Sequence, residues 1–113
     1  NADEVILPAS VCPGVMHAIE YTGATPIISD INKNDFNIYV EYVKKLINKN
    51  TKAIIVPHMF GLPSDIEELL KLNIPIIEDC AQSIGAEYQG KKVGIYILFH
   101  TYMIIVQHDP LQI

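Results

Sequence analysis

The sequence predicts an α/β fold with a mainly parallel, doubly wound sheet. Four short runs rich in Val and Ile lack polar alternation, as strands buried on both faces do. Three segments between them carry apolar residues three and four apart, the spacing of an amphipathic helix. The two kinds of segment alternate along the chain, and alternation of this sort implies right-handed crossovers in one parallel sheet.

The elements follow in order. Glu4 to Ala9 (EVILPA) is the first strand, and Val15, Ala18 and Ile19 mark a helix whose left-handed C-cap is expected at Gly23. Thr25 to Ile31 (TPIISDI) is the second strand. Val40, Val43, Leu46 and Ile47 mark the second helix, with Lys44, Lys45 and Lys49 late in it, where cations complement the helix dipole. Ala53 to Phe60 (AIIVPHMF) is the third strand. The third helix carries Ile66, Leu69 and Leu70 and is expected to begin at Ser64 or Asp65, with Ser64 as N-cap candidate, acids in its first turn and Lys71 near its end. Pro75 to Ala81 (PIIEDCA) is the fourth strand. Glu87 to Lys92 (EYQGKK) reads as a hairpin or surface turn around Gly90. Val93 to Gln107 is a nearly unbroken apolar stretch ending at His108-Asp109-Pro110, and it offers no polar helix face. The expected division is therefore residues 1–94 as a strand–helix unit and 95–113 as a divergent, strand-like apolar tail.

Composition narrows the function classes. The chain has 113 residues, 50% apolar and 19% charged, which excludes a disordered or low-complexity segment. Its net charge is −5, and all 8 basic residues are scattered lysines, so the basic footprint of a nucleic-acid binder is missing. No apolar stretch reaches the roughly 18 to 20 residues of a membrane span, and the first residues lack the positive charge of a signal peptide. Cys12 and Cys80 fit no zinc spacing and are expected to be reduced, small and buried. The expectation is a cytoplasmic protein without metal, nucleic-acid or membrane partners.

In open α/β sheets, ligands bind beyond the carboxyl ends of the strands. The residues there are Ser10 to Cys12, Asp30, His58, Glu78, Asp79 and Gln82. Asp79 follows Pro75-Ile76-Ile77 and so puts a carboxylate at the mouth of a buried strand, where desolvation calls for a cationic or hydrogen-bonding partner. Spacing alone leaves a ligand role and a helix cap both open for it. His58 precedes the turn residues Gly61 and Pro63 and is expected to bond nearby backbone. His17, His100 and His108 do not pair with it at metal-ligand spacing, and neither a GxGxxG fingerprint nor a P-loop occurs.

Three blocks, DEVILPASVCPGVMHAIEYTGATPIISD, TKAIIVPHMFGLPSDIEELL and IPIIEDCAQSIGAEYQGKKVG, resemble the DegT family of pyridoxal-phosphate-dependent sugar aminotransferases, almost continuously from Asp3 to Gly94. The resemblance implies the large domain of the aspartate aminotransferase (type I) fold. It also implies transfer of an amino group from glutamate to a keto nucleotide-sugar, in homodimers with shared active sites. Asp79 resembles the carboxylate that pairs with the protonated pyridine nitrogen of the cofactor. Gln82 resembles the residue that hydrogen-bonds its phenolic oxygen. Cys12 falls where most relatives place an aromatic that stacks on the ring, and His58 and Gly61 match an HxxG pattern taken as architectural.

The departures are equally specific. Phe99-His100-Thr101-Tyr102-Met103 fits the family's tail without a gap, and Met103 then occupies the position of the lysine that bonds the cofactor covalently. Leu98 stands where the family has a phosphate-binding Ser. Lys91 and Lys92 are rejected as substitutes because they align with a surface turn. By comparison with the family, an upstream phosphate-binding segment and a C-terminal small domain are expected to be missing. The expectation is an impaired portion of an aminotransferase, with a non-enzymatic remnant or an interaction module docking on a full-length relative as the alternatives.

Overall fold

The computed structural model describes residues 2–94 and, as backbone only, 101–104. The chain runs β1 (Glu4–Pro8), α1 (Pro13–Tyr21), β2 (Thr25–Ser29), α2 (Val40–Leu46), β3 (Thr51–Pro57), a 3₁₀ turn (Met59–Gly61), α3 (Ile66–Leu70), β4 (Ile76–Asp79), a two-stranded hairpin of β5 (Glu87–Tyr88) and β6 (Lys91–Lys92), and β7 (Thr101–Ile104). Leu98, Phe99, His100 and His108 lie outside the described residues.

Five strands form one sheet in the order β2-β1-β3-β4-β7, and every pairing is parallel. The chain leaves β1 in one direction to make β2, then returns across β1 to make β3 and β4. Helix α1 packs with Leu7 and Ile55 on one face, while α2 and α3 pack with Ile6, Ile54, Val56 and Ile76 on the other. Helices that change face as the strand order reverses are what right-handed crossovers require. The reversal leaves a switch point between the carboxyl ends of β1 and β3, the usual place for a ligand crevice.

Local sequence accounts for most boundaries. Pro13 occupies the first turn of α1, where its missing N–H costs nothing, and Gly23 ends that helix at φ +81°, open to glycine without a Cβ penalty. Helix α2 has Glu41 in its first turn and Lys44 and Lys45 in its last. Gln89 and Gly90 both have positive φ, matching the tight turn read around Gly90.

Two expectations are corrected. Ser64 does not cap α3, which starts at Ile66. Ser64 is fully buried, its hydroxyl donates to the Pro57 carbonyl at 2.8 Å and its N–H donates to His58 Nδ1 at 2.9 Å. The serine closes the end of β3 instead, because a buried carbonyl and ring nitrogen need donors more than an exposed helix start does. Nor is every strand buried on both faces. β2 is the sheet's edge, and Ile28 on it is 57% exposed while Ile27 packs into the core. Among the described residues no helix is long and apolar enough to cross a membrane.

The hairpin is tied to α3. The Tyr88 hydroxyl donates to Asp65 Oδ1 at 2.8 Å, and Gln89 Nε2 donates to Glu67 Oε2 at 3.2 Å. Burial, followed by the bond to Asp65, pushes the Tyr88 phenol up to about 12. A raised phenol binds its proton more tightly in the folded chain, so its contribution is complete below the ordinary value near 10 and is lost as pH rises toward 12. Ultraviolet titration of the wild type against Tyr88→Phe is expected to assign the last-ionising phenol to Tyr88; one titrating near the ordinary value would contradict the bond to Asp65.

Candidate functional site

Asp79 ends β4 in register with Pro57 of β3. Side chains alternate along a strand. Ile76 packs with the α2/α3 cluster and Ile77 with the α1 cluster, so Glu78 shares the first face and Asp79 the second. Adjacent carboxylates therefore lie on opposite sides of the sheet, and their surroundings differ.

Asp79 is half-buried. Its Oδ1 accepts the Ala81 N–H at 3.0 Å, and its carbonyl accepts the His58 N–H at 3.2 Å. Among the described residues no lysine or histidine comes within ion-pair distance of it. It is thus an oriented carboxylate, partly withdrawn from water, with one backbone donor and, among the described residues, no cation, an arrangement able to accept a cationic group.

Glu78 is fully buried. Its Oε2 accepts the Gly94 N–H and faces His58 Nε2 at 3.7 Å, too long for a hydrogen bond. His58 bonds backbone, as its sequence position suggests: its Nδ1 accepts from Ser64 N–H, so a neutral ring carries its proton on Nε2, toward Glu78. Cys80 lies beside this pair, and the three offer nitrogen, oxygen and sulfur atoms within 4.8 Å of one another. Sequence spacing missed this cluster because its members come from two strand ends. Burial first, and then the Glu78 charge, push the Cys80 thiol up.

Gln82 is exposed at the rim after β4, and its Oε1 accepts the Phe60 N–H at 3.0 Å. Cys12 stands at the N-cap of α1, at the carboxyl end of β1, and is exposed rather than buried. This position at an exposed helix start corrects the expectation of two buried thiols. Iodoacetamide is accordingly expected to alkylate Cys12 in the native chain roughly tenfold or more faster than Cys80, as read by peptide mass spectrometry; equal rates would contradict the burial of Cys80.

Met103 lies in β7, paired with Glu78, so its backbone is next to the acid-bearing strand; its side chain is outside the described residues. Lys92 pairs with Glu87 at 2.6 Å in the exposed hairpin, in keeping with a surface turn. Of the other strand-end candidates, Ser10 donates to the Phe36 carbonyl at 3.1 Å, and Asp30 borders an open cleft of about 530 Å³ beyond β2.

An open parallel sheet with helices on both faces is the architecture this chain shares with solved aminotransferases. A solved structure of 3-amino-5-hydroxybenzoic acid synthase superposes with a TM-score of 0.79 at 33% identity, covering 82% of this chain and 25% of that one. The chain belongs to the DegT/DnrJ/EryC1/StrS aminotransferase family, whose model matches residues 1–102. It is 40% identical over 100 residues to a GDP-perosamine synthase of Escherichia coli O157:H7, covering 85% of this chain and 28% of that protein. It is 41% identical over 96 residues to a dTDP-3-amino-3,6-dideoxy-alpha-D-galactopyranose transaminase of Aneurinibacillus thermoaerophilus, covering 81% and 26%. The chain thus spans about a quarter of the length of these relatives.

Proposed function

We propose that this chain carries the ring-binding side of the pyridoxal phosphate site of an aminotransferase that moves an amino group from glutamate to a keto group on a nucleotide-linked sugar. The observation that carries this reading is Asp79, an oriented, half-buried carboxylate with no cation beside it among the described residues. The two curated relatives are named for nucleotide-linked amino sugars, which supports the substrate class.

The residues present fit the ring side of the cofactor. When bound, pyridoxal phosphate supplies an electron sink for the carbanion formed as the amino group is transferred. Asp79 keeps a proton on the ring nitrogen, which sustains that sink, and the Ala81 N–H holds its carboxylate so that little reorganisation is needed on binding. Gln82, its oxygen held by Phe60, donates from its amide nitrogen to the phenolic oxygen. Cys12 offers a thiol where an aromatic ring gives more contact area, so stacking is weaker there.

Met103 supports a second statement. A thioether neither bonds an aldehyde carbon nor carries a proton between carbon atoms, so residue 103 does neither task of the family lysine. The 113-residue chain is proposed to bind the cofactor and not to turn over.

Pyridoxamine phosphate is the suitable probe, because it has no aldehyde to react with surface lysines. Saturable quenching of its fluorescence by the chain is expected. Borohydride treatment of the pyridoxal phosphate mixture is expected to leave residue 103 unmodified and to show no stoichiometric adduct at one lysine. Absence of saturable binding would overturn the site; a stoichiometric adduct at a single lysine would overturn the statement about turnover.

A further inference from the structure

Gln82 has an amide whose two ends are chemically opposite, an acceptor and a donor, so its usefulness depends on which way it is turned. The turn after β3 decides this. A backbone N–H can only donate, and the Phe60 N–H lies 3.0 Å from the Gln82 side chain, so the atom facing it is oxygen and the NH₂ group is turned away from the 59–62 turn.

The geometry that allows this is held under strain. Phe60 sits at φ +55°, in the left-handed region that a bulky side chain seldom adopts, and the residue is 70% exposed, so burial of its side chain is not the compensation. Gly61 follows at φ +81°, where a Cβ would stand 3.5 Å from the Gln82 carbonyl oxygen.

Asn37 supplies the restraint. It is only 2% exposed, although it comes from the loop between β2 and α2. Its Oδ1 accepts the Met59 N–H at 2.8 Å and its Nδ2 donates to the Leu62 carbonyl at 3.0 Å, so one side chain brackets both ends of the turn. Asn37 is itself fixed: its N–H donates to Asp35 Oδ1 at 3.0 Å, and its carbonyl accepts the Asn32 N–H at 2.8 Å. From the same loop, Phe36 meets the Phe60 ring edge-on at a centroid distance of 5.9 Å.

We infer that Asn37 is a positioning residue for Gln82: it holds the 59–62 turn in the form that presents the Phe60 N–H, and this turns the Gln82 amide nitrogen toward the cofactor's phenolic oxygen. The last step rests on the function proposed above; the bracket itself does not. Asn37 touches neither cofactor nor substrate in this scheme and acts through two backbone bonds and one amide.

The test is a double-mutant cycle in the full chain, read by pyridoxamine phosphate affinity, with hydrogen exchange at the Phe60 amide as a readout free of the cofactor. Asn37→Ala is expected to weaken binding about fivefold in the wild-type background and to have no effect when Gln82 is already alanine. The Phe60 amide is expected to lose roughly tenfold or more of its protection while Ile54 and Val56 keep theirs. If Asn37→Ala fails to fold, Asn37→Asp serves in the same cycle, since it keeps the acceptor for Met59 and loses the donor to Leu62. Equal losses in both Gln82 backgrounds would overturn the inference, as would unchanged Phe60 exchange. Phe60 deprotection in a wild-type-like fold that binds no pyridoxamine phosphate would uphold the bracket, overturn its link to the cofactor, and count against the proposed function.

Discussion

Asp79→Asn is expected to lower the affinity for pyridoxamine phosphate by about 10- to 100-fold. A hydrogen bond between ionised partners contributes about 1.5–3 kcal/mol, and each 1.4 kcal/mol is tenfold in binding. Asparagine has nearly the same shape, and its oxygen still accepts the Ala81 N–H, so the end of β4 is undisturbed. What is lost is the negative charge proposed above to keep the ring nitrogen protonated. Fluorescence titration measures the affinity, and a urea midpoint unchanged from wild type confirms that only the site was altered. Wild-type affinity in the variant would remove the basis for the cofactor assignment.

Glu78→Ala is expected to destabilise the fold by about 2–4 kcal/mol, a large part of the 5–15 kcal/mol typical of a whole domain. The glutamate is fully buried, accepts the Gly94 N–H, and lies toward the proton-bearing edge of His58. Truncation leaves the glycine donor without that acceptor and opens a cavity on the α2/α3 face of the sheet. Glu78→Gln keeps an oxygen for Gly94 but turns a second donor toward His58, so a smaller loss of about 1–2 kcal/mol is expected. Urea unfolding followed by circular dichroism measures both. A loss under about 1 kcal/mol for Glu78→Ala would show that this acid does not organise the strand ends.

These two acids are neighbours in sequence with unlike roles, and they show how far linear reading extends. Asp79 is legible as a candidate because it follows Ile76 and Ile77, and an acid after a buried apolar run must lie at the strand's mouth. Its assignment to the ring nitrogen came from family resemblance, and its orientation by Ala81 came from the structure. Glu78 was legible only as a second strand-end acid, since its partners are 16 and 20 residues away, at Gly94 and His58. Ser64 carried the pattern of a helix cap, and tertiary contacts redirected it to Pro57 and His58. Asn37 belongs to no sequence motif, because both ends of its bracket come from a later strand connection.

By itself, the amino-acid sequence determined the order of strands and helices, which residues stand at the carboxyl ends of the strands, the hairpin turn and the family. Those follow from apolar spacing, local turn chemistry and block resemblance, all of which act within a few residues or along an unbroken match. The tertiary structure alone decided which face each acid takes, that Cys12 is exposed and β2 lies at an edge, and which polar groups join β3, β4 and the β2–α2 loop. The reason is physical: a buried donor or acceptor must be satisfied by whatever partner the packed chain brings within about 3 Å, and sequence distance plays no part in that requirement.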